Sequence, residues 1–425
     1  MLSLLLQACN KEYQNPNSPT EAAVLSTTQG LLAASNGLRY RYTLGATSGL
    51  FASITATGLT TNELRVVNAG NAELQAFVLG GGNVTNLNPV ITNLWTNLNV
   101  LNADADKIIA NISNVADAPT RNAIQAYAHL FKALAIGQMA MYWEQVIVNS
   151  VDHKSNATFE PREQALQKAI KLCEDALALL PANGSLPASF TNVVGNDIDV
   201  MNSLNALIAR YNMMIGKYTE AITAANKVSL TSLSTFKFDN VSPNPLFRSS
   251  FTTNNLHQAV VNLGLMGSLT PSSSDGRLPF YLITTGAYSP STPGARGFFK
   301  SDTDPVPLYL PGEMILIKAE AYARLNDLSN AVTQLNLILQ KSNDPSGVNA
   351  NLPAYSGPMT KEAILDEIYR QYAIELYLTG LRLEISRRFD RPGFNSPNAE
   401  RKRNFFPYPF TERNNNPNTP KDPDL

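Results

Sequence analysis

Two widely separated stretches carry the same helix–turn–helix corner, and this constrains the fold more than any other feature of the chain. The first is Arg210-Tyr-Asn-Met-Met-Ile-Gly216-Lys-Tyr218-Thr-Glu-Ala221. The second is Ala319-Glu-Ala-Tyr322-Ala-Arg-Leu-Asn326-Asp-Leu328-Ser-Asn-Ala331, with Asn at the turn and Leu in place of Tyr. Gly or Asn at the turn tolerates a positive φ, and the small Ala five positions on lets the second helix approach the first. A helical hairpin of this length cannot bury its apolar face alone, so the copies must stack on further helices.

The rest of the chain supplies those helices. Apolar residues recur with a 3.6-residue period at Ile124, Tyr127, Phe131 and Leu134, and again at Leu166, Ile170, Cys173 and Leu177. The same period continues through Val200, Leu204, Leu207 and Tyr211, then Met314 to Leu325, Leu328 to Ile338, and Ile364 to Leu378. Between them, residues 230–311 are rich in Ser, Thr, Gly, Pro and rings, with strand-like pieces such as Phe280 to Ile283. Residues 43–82 read the same way, ending in Gly80-Gly-Gly82. The corners resemble tetratricopeptide repeats. The expectation is a mostly α chain: a tetratricopeptide-like helical hairpin scaffold with long irregular loops and a few short strands. Residues 23–425 read as one domain, with the loop-rich insertion at about 230–311.

Charged residues make up 16% of the chain, against roughly 25% in ordinary soluble domains. Asn, Ser, Thr and Gly fill the difference. The formal net charge is −1, so no basic field steers nucleic acid, and no nucleic-acid partner is expected. Such a surface suits hydrogen bonding to neutral ligands. The three histidines, His129, His153 and His257, are widely spaced, and the cysteines are only Cys9 and Cys173. No disulfide framework, metal cluster, phosphate loop or nucleophile elbow is present, so no cofactor, metal or catalytic residue is nominated. Cys173 falls on an apolar helical face and reads as a buried thiol.

The opening Met1-Leu-Ser-Leu-Leu-Leu-Gln-Ala-Cys9 looks like the remnant of a lipoprotein signal peptide that ends in the cysteine to be acylated. Residues 10–22 are a polar, Pro- and Asn-bearing tether. Cys9 is therefore the expected lipidation site.

The order of motifs resembles the SusD/RagB family over nearly the whole chain. The stretches that carry the likeness begin with Asn93-Leu-Trp95 through Asn102, Tyr142-Trp143-Glu-Gln-Val146, and Asp275-Gly-Arg277, which is similar to the family's D-P-R. Leu308 to Ala321 is similar to R-x-x-E-hydrophobic-x-x-A-E-A without the leading Arg, and Glu375 to Arg382 resembles E-L-x-x-E-G-x-R with Thr379 for the second Glu. Phe406-Pro-Tyr-Pro409, Glu412 and Asn416-Pro-Asn418 resemble the closing segment.

The resemblance implies a surface-exposed outer-membrane lipoprotein without enzyme activity. It would capture an oligosaccharide or a peptide and deliver it to a SusC-like TonB-dependent β-barrel transporter. Two other readings stay open: a tetratricopeptide scaffold that binds only proteins, and a glycoside hydrolase, which needs only two carboxylates. A neutral oligosaccharide calls for exposed rings among uncharged hydrogen-bonding groups. The expected platform is Tyr288 first, with Tyr281, Phe298 and Phe299 in the same insertion and Tyr40 and Tyr42 beside the earlier irregular region. Trp95, on a periodic helix, is expected to be structural.

Overall fold

The computed structural model describes residues 20–150, 155–252 and 256–425. Cys9, most of the tether and His153 lie outside the described residues. Helices α1 (Glu21–Leu25), α2 (Thr28–Thr43) and α3 (Gly49–Thr60) lead through strand β1 (Leu64–Val66) to α4 (Ala72–Leu79), α5 (Pro89–Ala110) and α6 (Ala118–Tyr142). Strands β2 (Gln145–Val146) and β3 (Glu160–Pro161) join α6 to α7 (Arg162–Leu179), followed by α8 (Ala188–Val194), α9 (Val200–Met214) and α10 (Tyr218–Ala225). The insertion holds β4 (Thr235–Phe236), β5 (His257–Ala259), α11 (Arg277–Tyr281), β6 (Leu282–Ile283), β7 (Gly294–Ala295) and β8 (Val306–Pro307). The chain closes with α12 (Pro311–Arg324), α13 (Leu328–Leu339), α14 (Lys361–Glu375), α15 (Arg382–Arg388) and α16 (Phe410–Asn415).

The two corners form as their sequence requires. Gly216 and Asn326 stand at φ 75° and 63°, the left-handed region that ends a helix. Each corner closes with the same hydrogen bond: the Lys217 N–H donates to Asn212 C=O at 2.9 Å, and the Asp327 N–H to Tyr322 C=O at 2.8 Å. Ala221 and Ala331 are fully buried where the second helix meets the first. The pairs α9–α10 and α12–α13 pack on each other through α10 and α12, with α6 and α7 extending the stack on one side and α14 on the other.

Residues 43–82 depart from the irregular reading. Every residue of α3 is buried, as are Leu74 and Phe77 of α4. A helix buried on all sides has no polar face, so no 3.6-residue pattern announces it. The four strand pairs are β1–β5, β2–β3, β4–β8 and β6–β7, all antiparallel and two or three residues long. Phe280 and Tyr281 end a helical turn, and only Leu282 and Ile283 pair as strand.

Arginines cap the end of α6 and fasten the C-terminal segment. Arg162 and Arg387 donate to the last carbonyls of α6, at Ala140 (2.9 Å) and Met141 (2.7 Å), where a cation complements the helix dipole. Arg403 donates to Gly81 C=O at 2.6 Å and so ties the Gly80–Gly82 turn to the chain's end. Trp95 is buried among Trp143, Phe159 and Tyr408, and its Nε1–H donates to Glu412 at 3.0 Å. Among the described residues no helix is long and apolar enough to cross a membrane.

Candidate functional site

The insertion is held to the scaffold by buried charge. Arg277 is completely enclosed and donates to Asp275 at 2.7 Å, to Gln371 and to Glu375 at 3.2 Å. Glu375 also takes the Lys341 ammonium, and its carboxylate lies against Gly312, where a Cβ would have no room. Each buried charge is thus paired, which is the condition for tolerating it in a core. The family-like motif at residues 275–277 is therefore a clamp, and Glu375 of the later motif is its other half.

This clamp fixes Tyr281, whose hydroxyl donates to Glu375 C=O at 2.7 Å. Tyr281 is 1% exposed and not a platform. Phe298 packs edge-on against Phe280 with ring centroids 5.5 Å apart, and Phe299 lies 5.8 Å from Phe251. Both are buried. Tyr42 is likewise buried against Phe236, and Gln138 Nε2–H donates to its hydroxyl. Four of the six expected platform rings are core. An irregular loop has no periodic face, so its own rings must anchor it, and they carry the apolar burial that a helix stripe would otherwise supply.

Tyr288 and Tyr40 remain partly exposed. Tyr288 lies in the connection between β6 and β7, next to the Ser289–Thr292 bridge, with residues 284–287 in solvent. Its ring lies over Gly294, at which a Cβ would come within 2.6 Å of the ring. Tyr40 lines a cleft of about 540 Å3 between α1, α2 and α5. The cleft has an apolar part (Val24, Leu25, Leu44, Ile108) and two ion pairs: Arg41–Asp104 at 3.4 Å and Lys107–Glu21 at 2.7 Å. The Arg39 guanidinium sits 4.8 Å from the centre of the Tyr40 ring. Tyr288 is not among the residues lining this cleft, so the structure does not bring the two rings to one site there.

A second groove, about 750 Å3 between α7, α9 and α10, is lined by Lys171, Glu174, Lys217, Glu220 and Lys227, and by no aromatic ring. One ring escaped the sequence reading. Phe410, 50% exposed, is the most exposed aromatic side chain among the described residues. Its position directly after Pro409 put it in a terminal segment with no period to read.

Carboxyls raised by burial are found elsewhere. Burial pushes Glu63 up to about 7 and raises Glu384 as well; both side chains are buried, and Glu384 borders only a small space of about 20 Å3 beside Arg210 and Arg388. Among the described residues no group of three or more His, Cys, Asp or Glu side chains is placed to hold a metal. Cys173 is a free, buried thiol.

A stacked helical-hairpin scaffold with a clamped, ring-bearing insertion defines the class of protein. Residues 260–422 match the SusD family model, and to that extent the chain is similar to the SusD family. The fold likeness extends over the rest. A SusD superfamily protein from Bacteroides thetaiotaomicron, 15% identical, gives a TM-score of 0.71 over 93% of this chain and 100% of that one. A SusD-like carbohydrate-binding protein from Bacteroides fragilis is 14% identical, with a TM-score of 0.70 over 93% and 99%. One of the same description from Bacteroides vulgatus, also 14% identical, gives 0.70 over 94% and 98%. None of the curated proteins compared by sequence matches the chain.

Proposed function

We propose that this protein is a carbohydrate-binding lipoprotein of the outer membrane, which captures an oligosaccharide at the cell surface and passes it to a SusC-like TonB-dependent transporter. The observation that carries this reading is the SusD-like fold over at least 93% of the chain, shared with proteins described as carbohydrate-binding. The low charge of the chain and the partly exposed Tyr40 and Tyr288 support a neutral ligand. Cys9 would be the lipid anchor. Binding is favoured over hydrolysis because Glu63 and Glu384, the carboxyls that burial raises, are themselves buried, where a sugar does not reach them.

The test is retention of the purified protein in native gels containing neutral polysaccharides, followed by titration with oligosaccharides of whichever retards it. Saturable binding without product release supports a carrier. Release of reducing sugar would make it an enzyme, and absence of binding to any glycan would leave a protein-binding scaffold.

A further inference from the structure

Gly37 sits in the interior of α2, where glycine is the poorest helix former after proline. Such a glycine is explained when a neighbour packs against it, but a Cβ built on Gly37 meets nothing within 4 Å. The backbone conformation does not require glycine either, because Gly37 is not among the residues with positive φ. What Gly37 does face is the cleft of about 540 Å3 between α1, α2 and α5, which it lines together with Tyr40 from the same helix and Leu44 directly after it. This side of the cleft is open space.

The charges of the cleft select its occupant. Arg41 pairs with Asp104, and Lys107 pairs with Glu21, so the lining carries no net charge. A charged ligand would have to break a pair, whereas hydroxyl groups can bridge both members of one. Tyr40 adds a flat ring, Asn97 and Thr47 add uncharged polar groups, and Val24, Leu25 and Ile108 add apolar surface. The volume lies within the roughly 300–1,000 Å3 of small-ligand sites.

We propose that the cleft between α1, α2 and α5 is a subsite for a short stretch of neutral glycan, with a sugar ring against Tyr40 and hydroxyls on the Arg41–Asp104 pair. The proposal rests on the carbohydrate reading above and adds a site outside the loop-rich insertion. The open space over Gly37 is then where the glycan lies, and only a large side chain there would exclude it.

The full chain should be run in native gels containing laminarin, xyloglucan, starch or galactomannan, with polygalacturonate as the anionic comparison. The parent should be retarded by at least one neutral polysaccharide. Gly37→Trp, which fills the cleft, and Tyr40→Ala should each weaken binding of its oligosaccharide by roughly tenfold, the upper scale of a lost aromatic contact. Gly37→Ala should bind like the parent and melt at a higher temperature. If Gly37→Trp and Tyr40→Ala both fold and bind like the parent, the cleft is not the subsite although the carbohydrate reading stands. Should Gly37→Trp fail to fold, Tyr40→Ala decides alone. Preference for polygalacturonate overturns the neutral-ligand argument, and no retardation by any of the polysaccharides overturns the carbohydrate reading and this inference together.

Discussion

Arg277 Nη1–H donates to Glu375 Oε2 at 3.2 Å across 98 positions of sequence, with both side chains wholly out of solvent. The pair joins the first turn of α11, and with it the ring-bearing insertion, to the last turn of α14. Gly312 in the first turn of α12 makes room for the carboxylate. Two family-like motifs that are distant in sequence are therefore one structural element.

Removing the shared carboxylate weakens the pairing of both cations that it joins. Glu375→Gln takes one anionic partner from Arg277, which keeps Asp275, and one from Lys341, which keeps Asp344; we predict a loss of about 1.5–3 kcal/mol in urea unfolding, the usual scale for a hydrogen bond to a charged group. A loss below about 1 kcal/mol, the range of surface pairs, would show that the pair is solvated in solution.

Legibility followed amphipathicity. Helices α9, α10, α12 and α13 show one apolar face and a Gly or Asn turn, so the sequence declares them. Helix α3, buried all round, and α4 have no such stripe, and residues 43–82 look like loop. The same blindness affected the site. Tyr281, Phe298 and Phe299 stand among Ser, Thr, Gly and Pro as an exposed ring would, and only the Arg277 clamp and the Phe251 and Phe280 contacts reveal them as anchors. The Tyr40 cleft depends on packing between helices far apart in sequence, which periodicity cannot show.

Trp95 was legible as structural, since it sits on the apolar stripe of α5. It joins α5 to Trp143, Tyr408 and Glu412. Trp95→Ala should cost about 3–5 kcal/mol. The parent, with both of its tryptophans buried, should emit in the blue and resist acrylamide quenching. A well-folded, equally stable Trp95→Ala protein that had lost only ligand binding would contradict the structural role.

Two buried groups give stability opposite pH trends. Burial raises Glu63 from 4.5 to about 7, so between those values the unfolded chain releases a proton that the folded chain keeps, and stability falls as pH rises. Burial lowers His257 from 6.5 to about 3, so below 6.5 the unfolded chain takes up a proton that the folded chain refuses, and stability falls as pH drops. Glu63→Gln cannot ionise. Its stability relative to the parent should rise by about 1–3 kcal/mol between pH 4.5 and 8, measured by urea unfolding at each pH. A flat difference would mean that Glu63 titrates normally.

Cys9→Ser tests the anchor. If Cys9 is acylated in the cell, the substitution abolishes incorporation of a fatty-acid probe and releases the protein from the outer-membrane fraction, because stable anchoring needs more than one acyl chain. Continued labelling and membrane retention of the variant would move the anchor elsewhere.

The last prediction concerns Tyr288, the one expected platform ring of the insertion that is not buried. Its ring rests on Gly294, and the backbone of Gly294 is in β7 without a positive φ, so alanine is tolerated there by the chain. The added Cβ, however, would stand 2.6 Å from the ring and must displace it. If Tyr288 contacts the glycan, Gly294→Ala should weaken binding in the same direction as Tyr288→Ala, each by roughly 0.5–1.5 kcal/mol. Neither substitution touches the Arg277 clamp, so circular dichroism and melting should stay close to the parent. Isothermal titration with the oligosaccharide that binds the parent reads the effect. If Tyr288→Ala binds as the parent does, the ring only covers its own hairpin, and the insertion's contribution to the ligand must be sought at other residues.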